Sequence, residues 1–153
     1  RLFPGNEVRL MYAYFVTCTG CVKDENGKVI EVHCTYDPET KSGSGFTGRK
    51  VKGTIHWVPA NEAVKAEVRL YENIIDEEKG VYNEDGSINL NPDSIKILKD
   101  CYVEPALMEA KAGDSFQFLR QGYFCVDKDS TPDHIVFNRT VTLKDTWAKM
   151  QKK

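Results

Sequence analysis

Short strand-like segments separated by turn signals are the feature of this 153-residue chain that most restricts its fold. Residues 7–16 and 29–36 are rich in β-branched and aromatic side chains, and Asn26-Gly27 between them is the usual signal of a tight hairpin. Helix is expected only as single turns near 60–64 and 105–110. Many short strands with frequent turns predict an all-β protein made of small β-barrels. The further strand-like stretches are 51–58, 66–71, 95–98, 102–103, 115–119, 123–126 and 135–143.

Charge is balanced over the whole chain, with 21 Lys and Arg against 23 Asp and Glu, but it is unevenly distributed. Residues 76–110 hold three basic and nine acidic residues, a net of −6, whereas residues 111–153 hold eight basic and five acidic residues, a net of +3. The acidic stretch 76–94 is also punctuated by Gly, Asn and Pro, which is typical of a loop or boundary. We therefore expect two domains, covering residues 1–75 and 76–153.

Compartment and partners are restricted by composition. The apolar runs are far shorter than the roughly 18–20 residues that a membrane span needs, so no membrane partner is expected. Five cysteines, an odd number, suit free thiols in a reducing, cytoplasmic environment better than a disulfide framework. The chain opens on Arg1 and runs directly into strand-like sequence, which suggests a piece of a longer protein.

The glycine loop Gly43–Gly48 fits the spelling of a dinucleotide-binding fingerprint, G-x-G-x-x-G. That fingerprint needs a strand before it and a helix after it, so that the helix N-terminus meets the pyrophosphate. Here a proline-containing turn precedes the loop and a strand-like segment follows it. We interpret the loop as a surface connection without a bound cofactor.

Metal and catalytic sites are poorly supported by the sequence. Cys18 and Cys21 have the spacing of one zinc knuckle, but no second pair follows, and His33 and Cys34 would point to opposite faces of a strand. The three histidines lack a paired acidic motif, and no G-x-S-x-G or H-E-x-x-H sequence occurs. We expect no metal site and no catalytic residue within this chain.

Basic and amide side chains interleave with aromatics on the predicted strands, as in Phe116-Gln117-Phe118-Leu119-Arg120. Proteins read single-stranded RNA in this way, stacking unpaired bases on flat side chains and contacting their edges with Arg and Gln. Gln117 and Arg120 are three residues apart, so on a straight strand they would face opposite sides. Both could reach one base only if the chain bends between them.

A set of sequence blocks extends in order along nearly the entire chain. The main blocks are PGNEVRL at 4–10, CTYDPET at 34–40, GRKVKGTIHWV at 48–58, EVRLY at 67–71, QFLRQGYF at 117–124, VFNRTV at 136–141 and LKDTW at 143–147. In these blocks the chain as a whole resembles the C-terminal anticodon-binding region of glutaminyl-tRNA synthetase.

This resemblance implies two ribosomal-protein-like β-barrels that grip the tRNA anticodon. Residues 1–75 correspond to the distal barrel, and residues 76–153 correspond to the later part of the proximal barrel. The resemblance places the catalytic domain, which uses ATP and Mg²⁺ to attach glutamine to its tRNA, N-terminal to this chain. It implies no cofactor in this part, tRNA for glutamine rather than DNA as the partner, and a monomeric parent enzyme. Barrel edges left unpaired would favour self-association of the isolated piece.

Particular residues acquire roles from the same resemblance. Arg1 corresponds to an arginine that meets the third anticodon base, and Arg9 to one that serves the first base. Gln117 and Arg120 correspond to the pair that reads the central U. Met11 stands where members of the family often have a second arginine, which predicts that the first-base pocket, or a phosphate contact near it, is weaker or differently built.

The basic residues after the glycine loop, Arg49, Lys50 and Lys52, are candidates for contacts with the phosphates of the tRNA backbone.

Two alternative identities are open. One alternative is the equivalent domain of an archaeal- or eukaryotic-type glutamyl-tRNA synthetase, which shares the architecture. The other is a zinc-stabilised β-barrel interaction module with no RNA role.

Overall fold

The computed structural model describes residues 2–76 and 78–143. These residues form nine β-strands and two short 3-10 helices, which confirms the all-β prediction. The 3-10 helices are Pro38–Thr40 and Pro105–Glu109. In the described part of the chain, no helix is long and apolar enough to cross a membrane. The strands are β1 (Glu7–Leu10), β2 (Phe15–Lys23), β3 (Val29–Asp37), β4 (Thr54–Ile55), β5 (Val64–Tyr71), β6 (Ile95–Val103), β7 (Ser115–Phe118), β8 (Gly122–Val126) and β9 (Ile135–Thr142).

The chain divides into two compact units between Trp57 and Val58, not after residue 75 as the sequence suggested. The difference arises because β5 pairs with β6 and β9, which are both strands of the second unit. The acidic stretch 76–94 is therefore a connection within the second unit. Two isolated bridges, Ile75 to Leu90 and Tyr82 to Ile88, fold it back on itself.

The first unit contains a four-stranded sheet in the order β3-β2-β1-β4. Neighbouring strands are antiparallel except for β1 and β4, which are parallel. The predicted hairpin at Asn26-Gly27 is present between β2 and β3: the Gly27 amide donates to the Asp24 carbonyl at 2.9 Å, and Gly27 has a φ of +76°. A left-handed φ is the conformation for which turns select glycine.

Two strand predictions in the first unit were wrong in detail. Residues 7–16 are two strands separated by a tight turn, and of residues 51–58 only Thr54–Ile55 is a strand. A continuous run of strand-forming residues hid the first break, because propensity does not show where a chain reverses. The core includes Val8, Phe15 and Cys18.

The second unit contains a five-stranded sheet in the order β6-β5-β9-β8-β7, with one parallel pair between β5 and β9. Its core joins residues from β5, β8 and β9, and three phenylalanines of the β7–β9 region pack ring against ring. The Phe118 ring stacks on Phe124 at 4.5 Å between centroids and meets Phe137 edge-on at 5.1 Å. Among the described residues each sheet ends in two edge strands, so hydrogen bonding closes neither into a barrel.

Candidate nucleic-acid interface

Arg9 lies on β1 and is held by two contacts within the first unit. Its guanidinium carbon is 4.3 Å from the centroid of the Phe15 ring, and its Nη1 donates to the Ser42 hydroxyl at 2.9 Å. The side chain is half-buried. Stacking on an aromatic face fixes the plane of a guanidinium while leaving its remaining N–H groups available for an acceptor. Arg1, the other residue assigned to the first unit's base contacts, lies outside the described residues.

Arg49 uses its guanidinium to join two carboxylates of the first unit. Its Nε and Nη2 donate to Glu7 at 2.9 and 2.6 Å, and Nη2 also donates to Asp37 at 2.8 Å. The hydrogen bonds from Arg49 hold the pKa of Glu7 and the pKa of Asp37 below their ordinary values. These contacts raise the pKa of Arg49. Arg49 therefore crosslinks β1 to the end of β3, beside the same Phe15 ring that Arg9 covers.

Lys50 and Lys52 lie in the irregular segment between the glycine loop and β4, and both side chains are exposed. Of the three residues predicted to contact phosphates, these two present their charge to solvent, whereas the Arg49 charge is neutralised by Glu7 and Asp37. The glycine loop itself is followed by this irregular segment and a two-residue strand, so no helix N-terminus is available there for a pyrophosphate.

Gln117 and Arg120 belong to the hairpin that joins β7 to β8. Gln117 is exposed because its neighbours Phe116 and Phe118 turn inward to the core, as the two-residue period of a strand requires. Arg120 occupies the third position of a β-turn that the Gln121 amide closes by donating to the Phe118 carbonyl at 2.9 Å. The chain reverses between the two residues. The bend needed for both to serve one base is therefore present.

The backbone of Arg120 is unusual. Its φ is +66°, a left-handed value that Gly or Asn ordinarily supplies at this turn position. A left-handed L-residue costs about 1–2 kcal/mol, and such strained residues concentrate at functional sites. The next residue but one, Gly122, brings β8 close to β9: a Cβ there would lie 2.7 Å from the Val141 carbonyl oxygen.

A second polar cluster lies in the second unit and was not anticipated from the sequence. Arg69 contacts Glu67 at 2.8 Å and Asp129 at 2.9 Å, and Asp127 lies 3.5 Å away. Asn138 also donates to Asp127. Since Glu67 is only 8% exposed, this cluster acts as an internal crosslink between β5 and the segment joining β8 to β9. The alternation of Glu67 and Arg69 against apolar neighbours was the only sequence signal for it.

The cysteines do not gather into a ligand set. Cys18 and Cys34 are directly opposite each other on β2 and β3, whereas Cys21 is opposite Val32. Burial and the neighbouring Cys18 raise the pKa of Cys34, and a raised pKa disfavours the thiolate form that binds zinc. In the described part of the chain, no group of three or more His, Cys, Asp or Glu side chains is placed to hold a metal ion.

The first unit holds the Arg9 guanidinium over the Phe15 ring, and the second unit carries Gln117 and Arg120 on an exposed hairpin. Models of the class I tRNA synthetase (E and Q) anticodon-binding domain match residues 1–37 and residues 54–127. The chain belongs to this family of anticodon-binding domains.

Individual relatives agree with the family models. The chain is 55% identical over 152 residues to a glutamine–tRNA ligase of Clostridium perfringens, covering 96% of this chain and 27% of the relative. It is also 55% identical over 150 residues to a glutamine–tRNA ligase of Nitrobacter winogradskyi, covering 98% and 27%. A glutamine–tRNA ligase of Clostridioides difficile is 54% identical over 153 residues, covering 96% and 27%. The chain thus spans about a quarter of the length of the relatives it matches.

Proposed function

We propose that this chain binds the anticodon loop of the tRNA for glutamine and forms the recognition part of a glutamine–tRNA ligase. Membership of the anticodon-binding family supports the RNA partner, and the printed names of the relatives favour glutamine over glutamate. The glutamyl alternative shares the family model but has no relative among those named above. The zinc-stabilised module has no supporting ligand set in the described residues.

The observation that carries the proposal is the β7–β8 hairpin. A planar guanidinium and a side-chain amide are the groups that form paired hydrogen bonds with base edges. Gln117 and Arg120 supply one of each on an exposed turn whose backbone is fixed by the core phenylalanines behind it. We assign these two residues to the central U of the anticodon. Arg9, oriented by Phe15 and Ser42, is assigned to the first base, and Arg1 to the third.

The remainder of the parent enzyme is part of the same proposal. The missing three quarters would contain the catalytic domain that uses ATP and Mg²⁺, so this chain would need no cofactor of its own. We propose a cytoplasmic, monomeric parent, with self-association limited to the isolated piece. The distal barrel and the later part of the proximal barrel remain our assignment for the two units.

The test is binding of the full 153-residue chain to a glutamine-tRNA anticodon stem-loop and to a stem-loop with the central U replaced, each at two salt concentrations. We expect the replacement to weaken binding about tenfold or more, since one good base contact is worth about 1–3 kcal/mol. Arg120→Ala should remove most of this discrimination. Lys96→Ala is the matched control, because Lys96 is an exposed cation on β6, at the opposite edge of the same sheet.

One result would overturn the proposal that the chain reads the anticodon, and a second would overturn only the assignment of Arg120. The first is binding that ignores the central base and disappears with added salt, which describes a generic basic surface. The second is discrimination that survives Arg120→Ala, which would remove Arg120 from the reading of that base. Lys96→Ala should reduce affinity slightly and equally for both stem-loops, because it removes only a distant charge.

A further inference from the structure

We propose that Tyr12 is a stacking platform for one unpaired base of the bound RNA. Tyr12 is 80% exposed, more than any other large apolar side chain among the described residues. It sits at the third position of the β-turn between β1 and β2, where the Ala13 amide donates to the Leu10 carbonyl at 3.0 Å. Its φ is +58°, so the chain accepts a left-handed backbone in order to hold an aromatic ring in solvent.

The turn that carries Tyr12 is braced on both sides. The Met11 amide donates to the Ile55 carbonyl at 3.0 Å, and the Trp57 indole N–H donates to the Met11 carbonyl at 3.0 Å. On the other flank the Ala13 carbonyl accepts from the Ser42 amide at 2.9 Å and from the Ser42 hydroxyl at 3.0 Å. These hydrogen bonds fix the backbone on which the exposed ring stands. Because the backbone is already fixed, only the two side-chain torsions of Tyr12 would have to be ordered on binding.

Ser42 connects this turn to Arg9. Its hydroxyl accepts from Arg9 Nη1 at 2.9 Å while it donates to Ala13. Ser42 thus links the Arg9 guanidinium to the backbone of the turn that carries Tyr12. A guanidinium and an aromatic ring are the two kinds of group that contact a splayed base, one at its edge and one at its face.

Met11 adds a reason for an aromatic contact here. It precedes Tyr12 and is neutral, so the turn itself carries no positive charge to attract phosphate. Base–aromatic stacking contributes about 1–3 kcal/mol per base and tolerates any base. A contact of this kind is less sensitive to salt than a phosphate contact. The turn is therefore suited to hold a base by its face.

The test measures binding of the full chain and of Tyr12→Ala to the anticodon stem-loop and to a series in which each loop nucleotide in turn is abasic. Tyr12→Ala should weaken binding of the intact loop by about 5- to 140-fold, the stacking energy converted at 1.4 kcal/mol per tenfold. When the stacked base is the one removed, the abasic RNA should bind the unchanged chain and Tyr12→Ala with equal affinity. The loop position at which the two affinities become equal therefore identifies the stacked base.

Matched variants separate stacking from folding. Tyr12→Phe should retain affinity, because the ring remains. Tyr12→Gly removes the ring but relieves the left-handed backbone, so it should lose affinity without losing stability to denaturant. Tyr82→Ala removes an aromatic ring that is 68% exposed in the second unit and should leave affinity unchanged.

This proposal rests on the proposed function, and the outcomes separate the two. If Tyr12→Ala binds the intact loop as well as the unchanged chain does, Tyr12 is not a platform, although discrimination at the central base would still support anticodon binding. The Tyr12 proposal would also be overturned if Tyr12→Ala lost the same affinity for the intact loop and for every abasic RNA. If the unchanged chain binds an unrelated RNA hairpin as tightly as it binds the anticodon stem-loop, both proposals fail.

Discussion

Arg120→Gly should be more stable than Arg120→Ala, although both changes remove the side chain that we assign to the central base. The reason is the backbone of the β7–β8 turn, where Arg120 has a φ of +66°. Alanine keeps the left-handed strain and glycine removes it. Because both variants delete the same side-chain contacts, the difference between their stabilities isolates the backbone contribution.

The size of this difference follows from two opposing effects. A left-handed conformation costs an L-residue about 1–2 kcal/mol. Glycine loses more conformational freedom on folding, which costs about 0.5–1 kcal/mol relative to alanine. Arg120→Gly should therefore be more stable than Arg120→Ala by about 1 kcal/mol. At an ordinary strand position only the second effect operates, so Lys96→Gly should be less stable than Lys96→Ala by about 0.5–1 kcal/mol.

The assay is urea denaturation of the full chain followed by circular dichroism, with hydrogen exchange of the β7 and β8 amides to localise the effect. The critical result is that the stability difference between the glycine and the alanine variant has opposite signs at Arg120 and at Lys96. If Arg120→Gly were less stable than Arg120→Ala by about 0.5–1 kcal/mol, the difference expected at Lys96, the turn would store no strain. Both variants should also lose discrimination at the central base to the same extent, since the guanidinium is absent from each.

Two further predictions concern the first unit. Lys50→Ala and Lys52→Ala should each weaken RNA binding regardless of sequence and lower the salt slope of log K by about 0.7, the single-strand value per phosphate contact, in a titration at several salt concentrations. Arg49→Met should instead lower stability near pH 7, because Arg49 depresses the pKa of Glu7 and the pKa of Asp37. Depressed carboxyl pKa values contribute stability that is present above the ordinary values of 4.5 and 3.8 and is lost as the pH falls through the lowered ones. Denaturation midpoints of the two proteins should accordingly differ at pH 7 and converge in acid; a constant difference would contradict the pKa assignment.

Much of the fold was predictable because alternation and turn chemistry are local properties. The Asn26-Gly27 hairpin and the β7 alternation of Phe116, Gln117 and Phe118 follow directly from the sequence. The domain boundary was not predictable in the same way. Gly, Asn and Pro mark where a chain turns, but they do not say whether the strands on either side pair with each other. Only the long-range pairing of β5 with β6 and β9 decides that.

The candidate site was predicted as residues and not as geometry. Gln117 and Arg120 were identified from the resemblance, whereas the separate strand-like stretches 115–119 and 123–126 do not show that the chain reverses between them into one hairpin. Arg49 illustrates the converse. Its position among Lys50 and Lys52 suggests a phosphate contact, but Glu7 and Asp37 occupy its guanidinium in the folded unit. A count of basic residues cannot distinguish a charge that faces solvent from one that is already paired.

The distribution of left-handed residues argues that Tyr12 and Arg120 were selected for their side chains. In the described part of the chain eight glycines have positive φ, and Tyr12 and Arg120 are the only other residues that do. Glycine is thus used where the backbone needs this conformation and no side chain is required. At the tips of two hairpins, one in each unit, the chain instead retains an exposed ring and an exposed guanidinium at a cost in stability. A cost that glycine would remove is expected to persist only where the side chain makes a contact that glycine cannot make. Tyr12→Gly and Arg120→Gly should therefore both lose RNA affinity, and full RNA affinity in either glycine variant would contradict this reasoning.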